Sequence, residues 1–269
     1  MPRPIALLTD FGTRDAYAGI LKGVILSRCP GAPLFDLTHE IPPQDVFHGA
    51  LVLASAVPYC PPDTVFLCVV DPGVGSDRRA LCLEAGGRHF VGPDNGLMWL
   101  AARACGEPAA YHLHCSEHWL PNPGATFHGR DIFAPCAAAL ARGVRAEQLG
   151  TIVPDPVRLE IPACTCYADR IEGQIIHIDH FGNAVTNIRP EDLGPDVKEF
   201  TLQAGHRFIP GPANCYSTVR VGEPTIVLGS WGYFEVAIRD GAAALLLGLQ
   251  RGCPVAVTFP SGRNPANPG

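Results

Sequence analysis

Asp71 and Arg78 flank a Pro-Gly-Val-Gly turn (Pro72 to Gly75) that follows a run of six apolar residues, 65–70. A carboxylate at a strand's end with a guanidinium a few residues on can bind a ligand or move a proton, so the pair is a candidate for chemistry. Ligands in open α/β sheets bind outside the carboxyl ends of the strands, which is where this turn would stand. The same residues also fit a plain surface turn, with Asp71 bonding its own backbone and Arg78 solvated. His128 sits in Phe127-His128-Gly129-Arg130-Asp131, directly before an Ala-rich run at 132–141. It stands just ahead of a helix N-terminus, where it could also be part of a capping turn with a solvated imidazole. Asp10 and Asp15 flank a strand-to-helix turn, where they would satisfy orphan backbone donors or hold a ligand's hydroxyl or ammonium groups.

The elements that must position these residues follow from hydrophobic patterning. Residues 5–9 and 64–70 read as buried strands, 32–37 as another, and 15–27 and 45–57 as helices, the first capped by Thr13 or Asp15. This β-α-β-α-β order calls for a mainly parallel sheet covered by helices. Residues 80–84 and 89–91 form a hairpin turning at Ala85-Gly86-Gly87, and Gly92-Pro93-Asp94-Asn95-Gly96 is a turn cluster before a short helix. Past a proline-spaced stretch at 154–166 come short strands at 169–178, 184–188, 198–203, 224–228, 233–238 and 254–258, with no helices of note. That spacing suggests a small barrel or sandwich. The fold class is therefore α/β, with an N-terminal α/β domain at 1–163, a smaller β-barrel-like domain at 164–260, and a disordered tail at 261–269. Two polar segments in the second domain suit a site: Ile178-Asp179-His180-Phe181-Gly182-Asn183 and Gly229-Ser230-Trp231-Gly232-Tyr233-Phe234-Glu235.

Composition narrows the classes. With 47% hydrophobic and 17% charged residues the chain is a folded globular protein, and a net charge of −6 without a basic stripe excludes nucleic acid as the expected partner. The apolar run at 5–8 is too short for a signal peptide, and no stretch reaches membrane-spanning length, so a cytoplasmic protein without membrane partners is expected. The 11 cysteines include no C-x-x-C pair and read as packing residues, Cys68, Cys82 and Cys136 lying inside apolar runs. His112, His114 and His118 read as edge-strand or loop residues, His180 as a turn residue, and His39 as a strand-end residue near the site.

In combination these motifs resemble the S-adenosylmethionine hydroxide adenosyltransferases, relatives of the enzymes that halogenate S-adenosylmethionine. The resemblance rests on Thr9-Asp10-Phe11-Gly12, Asp71-Pro72-Gly73-Val74-Gly75 with Arg78, Gly92-Pro93-Asp94-Asn95-Gly96, Phe127-His128-Gly129-Arg130-Asp131, and Asp179 with Phe181-Gly182-Asn183. It implies hydrolysis of S-adenosylmethionine to adenosine and methionine, and a homotrimer with sites at subunit interfaces. It also implies a hydroxide-binding triad of Asp71, Arg78 and His128. Adenosine contacts fall on Asp10, Asn183 and the backbone at Ile238 and Asp240, and methionine contacts on Asp15, Asp179 and Ser230. No metal or other cofactor is implied.

The chemistry is coherent. A sulfonium expels a neutral thioether, so no acid is needed, and the burden falls on fixing and deprotonating water in line with the C–S bond. A halide at the same place would face Asp71, and like charges about 4 Å apart cost about 4 kcal/mol at an effective dielectric of about 20. A non-catalytic adenosine-binding protein would have no need of the three residues together. A metal-dependent hydrolase using Asp10, His39 and Asp71 lacks compact ligand spacing.

Overall fold

The computed structural model describes residues 1–195, 197 and 199–259, and the expected tail at 261–269 lies outside them. The chain divides into two compact units, Met1–Glu160 and a second that begins at Ile161. The first is built on a seven-stranded sheet in the order β2-β1-β3-β5-β4-β6-β7. Its strands are β1 (Ile5–Thr9), β2 (Leu34–Thr38), β3 (Val65–Val69), β4 (Ala80–Ala85), β5 (Arg88–Pro93), β6 (Ala109–His112) and β7 (Thr151–Ile152). The first four in spatial order run parallel and the rest antiparallel. Helices α1 (Tyr17–Arg28), α2 (Val46–Ala56), α3 (Trp99–Cys105) and α4 (Ala134–Ala141) cover it.

Burial on both faces explains why β1 and β3 are continuous apolar runs. Ile5, Leu7, Val65, Leu67 and Val69 pack with Leu21, Ile25, Ala137 and Leu140 of α1 and α4. The alternate residues Ala6, Leu8, Phe66, Cys68 and Val70 pack with Leu53, Met98 and Ala101 on the other face. Thr9 pairs with Val69, so β1 and β3 end side by side, and Asp10 and Asp71 leave the sheet at the same edge. Cys68, Cys82 and Cys136 are fully buried.

Two local expectations are corrected. Neither Thr13 nor Asp15 caps α1: the helix begins at Tyr17, Ala16 holds the cap position without a side-chain bond, and the Thr13 hydroxyl donates to Glu40 instead. The Ala-rich helix does not begin at 132. A π-helical turn, Gly129–Phe133, precedes α4, with the Ala134 amide donating to the Gly129 carbonyl.

The second unit is an antiparallel, nearly closed barrel. Its strands are β8 (Thr165–Cys166), β9 (Arg170–Ile178), β10 (Ala184–Thr186), β11 (Phe200–Ala204), β12 (Arg207–Gly211), β13 (Pro224–Leu228), β14 (Phe234–Ile238) and β15 (Pro254–Thr258). They run β12-β11-β15-β9-β10-β14-β13, with β8 paired to β9. Near closure comes where Ala213, just past β12, donates to the Ile226 carbonyl of β13 at 2.7 Å. Against the expectation of strands alone, the unit also holds two one-turn helices, Pro190–Leu193 and Ala243–Leu247, and strand β12 is additional to the expected strands. Arg207, Pro210 and Gly211 make β12 read as a turn, whereas it takes its register from hydrogen bonds to β11.

Candidate active site

Asp71 leaves β3 at its carboxyl end, and Asn95 holds the preceding peptide by donating from Nδ2 to the Val70 carbonyl at 2.8 Å. The chain then turns through Pro72 to Gly75. Gly75 has φ +80°, and a Cβ there would lie 2.6 Å from the Ala125 carbonyl oxygen, so only glycine lets this turn close. The turn brings Arg78 back onto the carboxylate. Its Nε lies 2.9 and 3.1 Å from the two Asp71 oxygens, and Nη2 lies 2.5 Å from Oδ2. The same Nη2 is 2.7 Å from His128 Nδ1. Both members of the ion pair are largely buried, with side chains 6% and 11% exposed, and the guanidinium carbon stands 5.2 Å from the centre of the Phe133 ring.

The guanidinium settles the imidazole's tautomer. Arg78 can only donate, so His128 Nδ1 accepts, and the neutral ring carries its proton on Nε2. Burial first, and then the Arg78 charge, hold the His128 pKa below its usual value, against the opposing pull of Asp71 and Asp131. His128 is therefore a neutral hydrogen-bond donor at Nε2. Its loop is fastened by Asp131, which is 2% exposed and accepts from Arg130 at 2.6 and 3.0 Å and from the Gly124 amide at 2.9 Å. Beside it, Phe127 meets Phe11 and Tyr17 edge-on, with ring centres 5.8 and 5.4 Å away.

Of the adjacent Arg78 and Arg79, only Arg78 bonds within this cluster. Arg79 binds Asp94 and Asp155 and so ties the 155–157 segment to the Gly92–Gly96 turn. Asp10 is half-buried and accepts from the Gln44 amide at 2.8 Å, while Asp15 is exposed. His39, expected near the site, is buried as a structural residue between Thr9 Oγ1 at 2.8 Å and Asp36 at 3.1 Å. Among the described residues no three His, Cys, Asp or Glu side chains are grouped to hold a metal.

In the second unit Asp179, Asn183, Ser230, Ile238 and Asp240 line one cavity of about 860 Å3, within the size range of small-molecule sites. Asp179 builds a turn: Oδ1 accepts from the Phe181 and Asn183 amides at 2.9 and 2.8 Å, and Oδ2 from Asn183 Nδ2 at 2.9 Å. The Asn183 amide oxygen is thereby turned away from Asp179 and can accept. Trp231 lines the cavity too, its ring 4.7 Å from that of His177.

Comparison with known proteins decides the family. Residues 5–150 match the model of the SAM hydroxide adenosyltransferase N-terminal domain, and residues 173–256 match its C-terminal domain. The chain belongs to the SAM hydroxide adenosyltransferase family. It is 40% identical to an (R)-S-adenosyl-L-methionine hydrolase of Thermus thermophilus, over 94% of this chain and 98% of the relative. It is also 40% identical to one of Salinispora tropica, over 96% and 98%. A fluorinase of an Actinoplanes species is more distant, 28% identical over 94% and 97%. A crystal structure from Thermotoga maritima superimposes with a TM-score of 0.88 at 33% identity, covering 95% of this chain and 100% of that one.

For this member of the SAM hydroxide adenosyltransferases, the structure adds Tyr216 and Arg239, outside the motifs read from the sequence, and gives Glu235, the last residue of the polar segment 229–235, a specific place. Tyr216, Glu235 and Arg239 also line the cavity. Glu235 carried a signal, a carboxylate inside the apolar strand Phe234–Ile238. Tyr216 carried none, because it lies in a stretch without periodicity.

Proposed function

We propose that the protein hydrolyses S-adenosyl-L-methionine to adenosine and L-methionine, with water attacking the ribose C5′ carbon in line with the C–S bond. The observation that carries this reading is the shared guanidinium: one nitrogen of Arg78 bonds both Asp71 and His128. Asp71 retains lone pairs beyond those facing Arg78 and receives the proton of the water. His128 Nε2–H donates to the water oxygen and aims its remaining lone pair. Arg78 holds both partners and stabilises the negative charge that develops on the attacking oxygen. As the C5′–O bond forms, the C–S electron pair passes to sulfur, the sulfonium charge disappears, and methionine leaves as a neutral thioether. The proton on Asp71 then passes to solvent. The reading needs no metal or other cofactor.

Substrate contacts are proposed for Asp10 at the ribose hydroxyls, for Asn183 and the backbone at Ile238 and Asp240 at the adenine, and for Asp15, Asp179 and Ser230 at the methionine. Halogenation is disfavoured by the carboxylate held at position 71. A homotrimer with sites at subunit interfaces is the proposed assembly, and the exposed Phe181, Tyr216 and Leu228 around the cavity supply apolar surface for a partner. Domain limits of 1–163 and 164–260 and a cytoplasmic location complete the proposal. Eleven free cysteines accord with a reducing compartment. No helix among the described residues is long and apolar enough to cross a membrane.

Incubation with S-adenosylmethionine, with separate arms containing chelator and chloride, tests the reaction. Equimolar adenosine and methionine are expected in every arm. A chelator-sensitive rate, a chlorinated nucleoside, or binding without turnover would each refute it.

A further inference from the structure

Glu235 stands out in β14. Its strand neighbours Phe234 and Val236 pack in the barrel core, which turns Glu235 to the opposite face, where it lines the cavity. It is nevertheless only 7% exposed. Its carboxylate accepts a hydrogen bond from the Tyr216 hydroxyl. The other oxygen rests against Gly229, where a Cβ would come within 2.4 Å of Oε2. The glycine ahead of Ser230 thus leaves the room that the carboxylate fills. Burial, reinforced by nearby Asp179, pushes the Glu235 carboxyl above the usual carboxylate range. Such a placement costs folding free energy, and the group it serves is Tyr216.

Tyr216 opens a short turn, Tyr216–Thr218, in the stretch between β12 and β13. A second fastening comes from Arg239, just past β14, whose Nη1 donates to the Ser217 and Val219 carbonyls at 3.2 and 2.9 Å. Asn214, Cys215, Tyr216 and Ser217 form one wall of the cavity. This wall has no strand or long helix of its own, and it is held at two points by side chains from β14 and its end.

We propose that Glu235 is a positioning residue that fixes Tyr216, and with it the 214–217 wall, so that it sets affinity for the adenosyl substrate and not the rate of C–S cleavage. The proposal rests on reading this cavity as the S-adenosylmethionine site. When a wall can swing away, apparent affinity falls by the fraction of molecules that hold the binding-competent form. Removing a half-buried hydrogen bond to a carboxyl group is enough to change that fraction by roughly tenfold.

Glu235→Ala, Glu235→Gln and Tyr216→Phe test the proposal through KM, kcat and amide hydrogen exchange of residues 214–219 in the unliganded protein. Glu235→Ala and Tyr216→Phe are each expected to raise KM about tenfold, to change kcat by less than about threefold, and to speed exchange. The double variant should be no worse than either single, and Glu235→Gln, whose carbonyl still accepts from Tyr216, should recover most of the loss. Unchanged KM, unchanged exchange, additive effects, or a loss confined to thermal stability would each overturn the assignment. If the parent protein fails to turn over S-adenosylmethionine, the functional reading fails, while the exchange arm still decides whether Glu235 holds the wall.

Discussion

Replacing Asp71 by Asn keeps the shape of the side chain and removes its charge and its capacity as a base. In the parent protein both carboxylate oxygens face Arg78 donors, at 2.9 and 3.1 Å from Nε and 2.5 Å from Nη2. Whichever way the Asn amide is turned, its NH2 group meets a guanidinium N–H, so at least one charge-assisted bond is lost. With the pair largely buried, that loss costs about 1–3 kcal/mol of stability. The catalytic effect is larger: loss of a positioned base lowers the rate by about 10²–10⁴-fold, equivalent to about 3–5 kcal/mol on the barrier. Because Asp71 acts on water and not on the nucleoside, the loss should fall on kcat and leave KM near the parent value. Initial rates of methionine release, with circular dichroism and melting curves to confirm folding, make the measurement. A folded Asp71→Asn protein with kcat within about threefold of the parent would show that the carboxylate does not receive the proton.

Other perturbations test other parts of the construction. Gly75→Ala places a non-glycine residue at φ +80° against the Ala125 carbonyl, which costs at least about 1–2 kcal/mol, so melting should fall by roughly 2–8 °C and activity should drop as Arg78 is displaced. His89 is buried beside Arg3, and burial with that charge lowers its pKa from 6.5 to about 4. The unfolded chain takes up this proton below pH 6.5 and the folded chain only near pH 4. The corresponding stability, about 3 kcal/mol, is therefore complete above pH 6.5 and lost as pH falls toward 4. Chemical denaturation across that range should show the loss, and His89→Gln should flatten it. Burial and the Arg78 charge lower the His128 pKa, so the contribution of this histidine to the acid limb of kcat/KM should lie below the ordinary imidazole range and vanish in His128→Gln. Chloride should not inhibit the parent enzyme, whereas Asp71→Asn, freed of the repulsion worth about 4 kcal/mol, should become chloride-sensitive.

How far the fold can be read from the residues depends on how local its causes are. β1 and β3 are legible because both faces are buried, which leaves an uninterrupted apolar run with turn residues after it. β12 is not legible: Arg207, Pro210 and Gly211 read as a turn, and only pairing with β11 makes a strand of them. The Asp71–Arg78 pairing is readable because a glycine turn lies within the six residues between them. The division of labour between Arg78 and Arg79 is not, since it depends on Asp94 and Asp155, which arrive from elsewhere in the chain. The same holds for the cavity. Asp179 and Asn183 signal themselves in a compact Asx turn, whereas Tyr216 matters through a partner 19 residues away.

The π-helical turn at Gly129–Phe133 acts as a length gauge. A five-residue hydrogen-bond step holds one residue more than the α-helix that continues from it, and a residue corresponds to about 100° of rotation about the helix axis. His128 is therefore indexed on the guanidinium by that surplus residue. Deleting one residue between 129 and 133 would let the turn relax into regular helix without disturbing the packing of α4, yet would swing the imidazole to another side of the axis. A chain that seats a histidine on this guanidinium in the same way must keep the count.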